Sequence, residues 1–476
     1  MALTKVSTRM TQKNEVNVFD FMTAAEIADV KANTALVDVT ASVQSAIDAA
    51  GARTVYFPSG TYKITSTLTA TNTSLVGESA IDIVELKYTA TDGSACVEIS
   101  SYYNNGYYTT VRNITFLGEY TIGSATECTG LYLYNNTDED VDAYVTNCEF
   151  QGFRKSIHIK GRGLTVRNSG FVVTLDAIYL DRVNPVNEGS EQDQKTESGA
   201  RVYQIYNNRF HAMGLGSCVS NVEPTNLVAD QLRGVHFSDN YIDTSARIMN
   251  GPCRESIFSN NTHIYPAATQ ILFYSASDNF AYVTITGNTF TTFDQTGPDR
   301  SNKQILYCGG DVESLIFSNN VIWNVEEDVI EVAGDAFRTV ITSNVFTNVI
   351  LNADTAAHRI FKVDGDVYRT QFNNNTIEVN GVPANADYIV YVGGTAYNLD
   401  VSNNAHNNSA LEVSNAGGYI NPLRKIDYGS AAPTAGPWVQ GDIVFNTTAA
   451  ASGTVGWVCV TSGSPGTWKT FGTIAS

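Results

Sequence analysis

From about residue 111 the chain keeps returning to one short pattern of apolar and polar positions. An alternating apolar strand runs into an Asn turn and out again. The copies read VRNITF (111–116), VTNCEF (145–150), VRNSGF (166–171), IYNNRF (205–210), FSDNYI (237–242), FSNNTH (258–263), ITGNTF (285–290), FSNNVI (317–322), ITSNVF (341–346), FNNNTI (372–377) and VSNNAH (401–406), eleven in all. A second strand sits between them: GLYLYNN (130–136), SIHIKGR (156–162), AIYLDRV (177–183), CVSNVE (218–223), RIMNGP (247–252), ILFYSASD (271–278), ILYCGGD (305–311), VIEVAGD (329–335), IFKVDGD (360–366), IVYVGGT (389–395) and ALEVSNA (410–416). The copies return every 20 to 40 residues or so, the signature of a repeat architecture. Inside each copy the apolar period is two rather than 3.6, so the elements are short strands.

One such rung cannot bury its inner face alone, and stacking rungs makes a continuous core. The predicted fold is therefore all-β, a right-handed parallel β-helix with strands about 4.8 Å apart. Asn tolerates left-handed backbone at a corner. Stacked Asn side chains can also hydrogen-bond from rung to rung, so these residues are read as structural. Function is expected in the variable loops.

The ends differ from the middle. VDVTASVQSAIDAAG (37–51) has apolar residues at helical spacing, Val43, Ala46, Ile47 and Ala50, between a candidate N-cap, Thr40, and Gly51. Such a helix would cover the open first rung. DYGSAAPTAGPW (427–438) reads as a linker, followed by two or three strands of a small β module. The expected organisation is an N-terminal arm (1–35), a β-helix (36–426) and a C-terminal module (427–476).

Composition narrows the partners. Of 476 residues, 43% are hydrophobic and 16% charged, which excludes a disordered chain or a coiled coil. No stretch of about 18 apolar residues predicts a membrane span, and MALTKVSTRM has no apolar core of a secretory signal. A net charge of −19 without basic runs argues against nucleic acid. Seven cysteines without a C-x-x-C pair read as reduced, buried thiols, and no metal or cofactor is expected.

The stretch DVTASVQSAIDAAGARTVYFPSGTYKI resembles the start of the pectate-lyase-like β-helix in bacteriophage tailspikes and capsule depolymerases. The tail GDIVFNTTAAASGTVGWVCVTSGSPGTWKTFG is similar to a module at the C-termini of such spikes. The resemblance implies a homotrimer in the virion that binds and cleaves a bacterial surface polysaccharide. It brings no catalytic motif. No large head-binding domain precedes the cap, so either the chain was cut or the arm docks on another tail protein.

Glycosidic hydrolysis needs two carboxylates, about 5–5.5 Å apart for retention and about 6.5–9.5 Å apart for inversion. A lyase instead needs a uronate, a cation or Arg to neutralise it, and a base. One constellation centres on two long insertions, 184–200 and 223–234. Arg209 and His211 are expected to face outward on one rung, Tyr241 and Asp243 on the next, with Arg247, Arg254 and Glu255 following. Arg suits anionic sugar groups and Tyr offers a flat apolar face. The expected acid and base lie among Glu223, Asp230, Asp243 and Glu255. The expected sugar contacts are Arg209, His211, Arg233, Tyr241, Arg247 and Arg254.

A second constellation is the row Asp278, Asp311, Asp335 and Asp366. It could form a repelling acid ladder, hold Ca²⁺, or simply accept backbone N–H groups after Gly. The last is the expectation. The run WNVEED (323–328) is a third, with Trp323 predicted to face outward beside Glu326, Glu327 and Asp328. The expected function is a polysaccharide depolymerase, hydrolase before lyase. The rivals are a receptor-binding spike that does not cut and a pectate-lyase-like enzyme outside any virus.

Overall fold

A computed structural model describes residues 15–476 apart from 80–82, 91, 102–107, 122–126, 136–139, 182–202, 212, 214–215, 222–231, 244–246, 252, 266–272, 276–279, 293–303, 326–327, 350–358, 380–387, 407–411, 422–425, 436–437 and 439. Within these residues the chain is a right-handed parallel β-helix. Each rung has three faces. The first precedes the Asn corner (Thr284–Thr286, Ile316–Ser318, Val340–Thr342). The second follows it (Val321–Val325, Val345–Val349) and belongs to a 13-stranded sheet. The third holds the strand between corners (Leu306–Cys308, Ile330–Val332, Arg359–Val363). Short strands such as Val312–Glu313 and Ala336–Phe337 link the third face to the next first face.

Pairing is parallel and advances one rung at a time, so equivalent residues stand above one another. Phe116, Phe150, Phe171 and Phe210 pair in succession, and their rings stack at 4.7, 5.4 and 4.9 Å in the buried core. Offset stacks of this kind add to the burial of their area.

The two Asn positions of the corner divide the work. The first takes the left-handed backbone, as at Asn207, Asn260, Asn319, Asn374 and Asn403 (φ 54 to 56°). The second turns inward and forms a ladder. From Asn208 through Asn240, Asn261, Asn288, Asn320, Asn344 and Asn375 to Asn404, each Nδ2 donates to the next Oδ1 at 2.9 to 3.1 Å. The same oxygen accepts the backbone N–H of the rung before, as Asn344 Oδ1 does from Asn320 at 3.0 Å. The amides from Asn208 to Asn375 are buried and each donates both N–H groups, which is what makes a polar core row tolerable.

The cap helix, α2 (Thr40–Ala50), buries Val43, Ala46, Ile47 and Ala50 as the pattern predicts. Its N-cap is Val39, one residue earlier than expected. Thr40 is instead the first helical residue, and its hydroxyl donates to Asp38 Oδ1 at 2.6 Å. A further helix, α1 (Ala24–Ala32), starts with a capping box between Thr23 and Glu26. Strand Glu15–Asn17 pairs with Thr54–Tyr56. The arm is thus docked on the first rung from Glu15 on. At the other end, Ile426–Gly429, Ile443–Asn446, Thr454–Thr461 and Thr467–Thr473 form a four-stranded sheet around Trp438, Val444 and Cys459. All seven cysteines are buried and reduced. Among the described residues no helix is long and apolar enough to cross a membrane.

Candidate functional site on the outer faces

The register brings part of the expected constellation together. Arg209 pairs with Tyr241 and His211 with Asp243 on adjacent rungs of the second face, while Phe210 and Ile242 point inward. Asp243 Oδ2 stands 2.8 Å from His211 Nδ1 and 3.4 Å from Arg209 Nη2. One carboxylate oxygen therefore serves two basic side chains. Tyr241 is 43% exposed beside them.

The other expected residues go elsewhere. Arg247 lies on the third face, its guanidinium 4.5 Å from the centre of the Tyr274 ring, and donates to Asn250. Arg254 is on the short strand Cys253–Arg254, and Glu255 is the exposed left-handed corner after it (φ 51°). Neither joins Asp243. The two residues follow the third face, whereas Asp243 ends the second. Arg233 pairs with Arg254 through strand Leu232–Arg233. Glu223, Asp230 and the insertion at 184–200 lie outside the described residues, as do Asp278, Glu326 and Glu327.

The aspartate row has a structural explanation. Asp311 Oδ1 accepts the backbone N–H of Asp335 at 2.8 Å, Asp335 Oδ1 that of Asp366 at 2.7 Å, and Asp366 Oδ1 that of Thr395 at 2.7 Å. Each carboxylate thus reaches the next rung rather than its own turn. A Cβ on Gly334, Gly365 or Gly394 would collide with the Asp carboxylate of the rung before, which explains why Gly precedes Asp335, Asp366 and Thr395.

The third face carries a row that sequence reasoning did not assemble. Glu98, Tyr132, His158, Tyr179, Ser220, Asn250, Tyr274, Tyr307, Glu331, Lys362 and Tyr391 pair in succession, one per rung. Their neighbours along each strand, such as Leu306 and Cys308 or Ile330 and Val332, point into the core. Tyr274 and Tyr307 stack at 5.7 Å, and Arg359 lies 4.7 Å from the Tyr391 ring centre.

Lys362 is the hub of an ionic cluster in this row. Its Nζ is 2.6 Å from Glu331 Oε1, 3.3 Å from Asp364 Oδ2 and 4.0 Å from Asp328 Oδ2. Burial alone would lower the Lys362 pKa, but the three carboxylates lift it. Gln304 also donates to Glu331. Asp328 is buried, accepts the backbone N–H of Arg359 at 2.7 Å, and lies 3.7 Å from the Arg359 guanidinium. Burial pushes its carboxyl up to about 6, against the pull of Arg359. Asp176, two rungs from Arg247 in the same column, is likewise pushed up to about 6 by burial.

Asp328 belongs to the run 323–328, and Trp323 is exposed as predicted (42%). Glu331, Lys362, Tyr274 and Tyr307 had a visible signal. Each is a polar or aromatic residue at the same place in successive copies, and Tyr307, Glu331 and Lys362 each stand between two apolar ones.

Comparison with known proteins fixes the fold. Residues 31–110 match the family model of rhamnogalacturonase A/epimerase, pectate lyase-like. The tailspike protein of E. coli bacteriophage HK620, solved as a mutant in complex with a pentasaccharide, aligns over 98% of this chain and 93% of its own. That alignment has a TM-score of 0.50 and 11% identity. This chain has the pectate-lyase-like β-helix fold. The A-module of the Azotobacter vinelandii mannuronan C-5 epimerase AlgE4 also aligns with this β-helix, over 85% of the chain and 100% of its own, at TM-score 0.41 and 15% identity. No curated protein sequence matches the chain. On a pectate-lyase-like β-helix each rung offers its outward side chains at fixed spacing, and the third-face row uses that spacing.

Proposed function

We propose that this chain is a bacteriophage tailspike depolymerase that binds a bacterial capsular or exopolysaccharide on its third face and cleaves it by glycosidic hydrolysis. The observation that carries the proposal is the run Arg247, Tyr274, Tyr307, Glu331, Lys362 and Tyr391, with buried Asp328 beside it. Tyrosine rings offer apolar faces to sugar rings, and Arg247 and Arg359 suit anionic substituents.

Asp328 is suited to act as the general acid, because a carboxyl that holds its proton to about pH 6 can protonate a leaving oxygen near neutrality. Glu331 or Asp364 would activate the attacking water. Both Asp328 and Glu331 contact Lys362 Nζ, so the facing oxygens are at most about 7 Å apart, which admits either stereochemical outcome. Arg209, His211, Tyr241 and Asp243 would provide sugar contacts on the second face. Glu223, Asp230 and Glu255 remain alternative carboxylates, and Arg233 and Arg254 alternative contacts. The proposal includes a homotrimer on the phage tail, attached through the N-terminal segment, as the resemblance to phage tailspikes implies.

The test is end-group release from a panel of purified capsules. New reducing ends on one capsule support hydrolysis, and accompanying ultraviolet absorbance of unsaturated uronates would replace it with a lyase. A second reading, a receptor-binding spike that does not cut, is favoured by one observation: Glu331 and Asp364 are already tied to Lys362. Under that reading Asp328→Ala and Glu331→Ala would leave host adsorption unchanged and no capsule would yield new ends.

A further inference from the structure

The same row carries a second cluster far from Lys362. Tyr132 stacks on Tyr134 at 5.0 Å and packs against His158 at 4.5 Å with the two rings tilted by 34°. His158 meets Tyr179 edge-on at 5.1 Å, and the Lys155 ammonium lies 3.6 Å from the Tyr179 ring centre. His158 Nε2 is 3.1 Å from Asp181 Oδ2. Burial would raise the Asp181 carboxyl, but the bond to His158 holds it below the usual carboxylate range. The His158 and Asp181 side chains are 17% and 19% exposed, so their rims are open to solvent. Three tyrosines and a His–Asp pair in ring contact, with a cation at one edge, are more than an ordinary polar strand surface needs.

We propose that this cluster is a second carbohydrate-binding station on the same track, and that the protein therefore recognises a stretch of about six sugars rather than a single linkage. The proposal rests on the polysaccharide reading above. The row itself supplies the distance. From His158 the succession runs through Tyr179, Ser220, Asn250 and Tyr274 to Tyr307, five rungs on. At about 4.8 Å per rung this is about 24 Å. A linked pyranose is about as long as a rung is tall, so a glycan lying along the axis would place sugars on Tyr132 and His158 and on Tyr307 together. Between the stations the row narrows to buried Ser220 and half-buried Asn250, so no ring projects there and a glycan would span them from one station to the other without resting on them. The two stations then act as linked sites, and the gain appears only when one chain reaches both.

The probe is the capsular polysaccharide that the intact protein binds, cut into fragments of about two to ten sugars. Affinity of the unaltered protein is measured against length. The expected result is a step near six sugars. Tyr132→Ala, and separately Tyr134→Ala, is expected to reduce the ratio of long- to short-fragment affinity about tenfold, with an unchanged melting temperature. A smooth rise with length in the unaltered protein, or equal losses for short and long fragments in both variants, overturns the proposal. If the protein binds capsule without releasing ends, the cleavage reading fails while the length step still decides this proposal. If it binds no polysaccharide at all, both fall.

Discussion

The Lys362 ammonium rests 2.6 Å from a carboxylate oxygen of Glu331, the residue directly below it in the third-face row. Both side chains are largely shielded, at 17% and 15% exposure. Removing one partner of such a pair leaves an uncompensated charge. Lys362→Met is therefore expected to cost about 3 kcal/mol, and the double variant Lys362→Met, Glu331→Met to recover most of it. Calorimetric melting of the single and double variants checks this.

Asp328 sets the pH behaviour. Its folded-state pKa is raised to about 6, so it favours folding while protonated, and that contribution fades as pH rises from about 4 to about 6. Asp328→Asn should be more stable than the unaltered protein at pH 8, by about 2 kcal/mol, and equal to it at pH 4. The Asn oxygen can still accept the Arg359 N–H. If Asp328 is the acid, turnover falls above about pH 6, and the variant loses turnover while keeping affinity.

The Asn ladder separates two kinds of corner substitution. Asn320→Ala removes the side-chain partner of the Ile285 carbonyl, the Asn288 backbone N–H and one Asn288 amide N–H, and leaves Asn344 Oδ1 with only the Asn320 backbone N–H. The expected loss is about 3 kcal/mol. Asn319→Gly keeps the left-handed corner and should change stability by less than about 1 kcal/mol. Thermal melting of the two neighbours distinguishes them.

The aspartate row makes a prediction about metal. Because Asp335 Oδ1 accepts the Asp366 N–H, Asp335→Ala should lower stability by about 1–2 kcal/mol. Chelation should leave the melting temperature of the unaltered protein where it was. A drop on chelation would restore the Ca²⁺ reading.

The solenoid was legible because its physics is local and repeated. Period two, the Asn corner and Val43, Ala46, Ile47 and Ala50 of the cap each follow from the sequence alone. The stacking of Arg209 on Tyr241 and of His211 on Asp243 followed too, because both pairs sit a fixed count from an Asn corner. Arg247, Arg254 and Glu255 were misgrouped with them because loops of variable length separate the faces, and closeness in sequence then says little about which face a residue joins. Glu331 and Lys362 are about 30 residues apart and each looks like an ordinary outward strand residue. The aligned copies VIEVAGD and IFKVDGD place one above the other, as the register does, but nothing in them marks the pair as the centre of an ionic cluster. The burial that raises Asp328 comes from tertiary packing, which no count along the chain supplies.

The ladder has an evolutionary consequence. Each amide from Asn208 to Asn375 sends one N–H back to a backbone carbonyl of the preceding rung and the other forward to the Asn oxygen of the following rung. Duplicating or deleting an entire period keeps each donor matched to an acceptor, so the solenoid can change length by whole rungs at little cost. Losing one of the residues that lead into Asn320, such as Ser318, would instead turn an inward amide outward and leave a fault in the stack. Gene changes that respect the period are silent for folding, and those that ignore it are not, whatever their size.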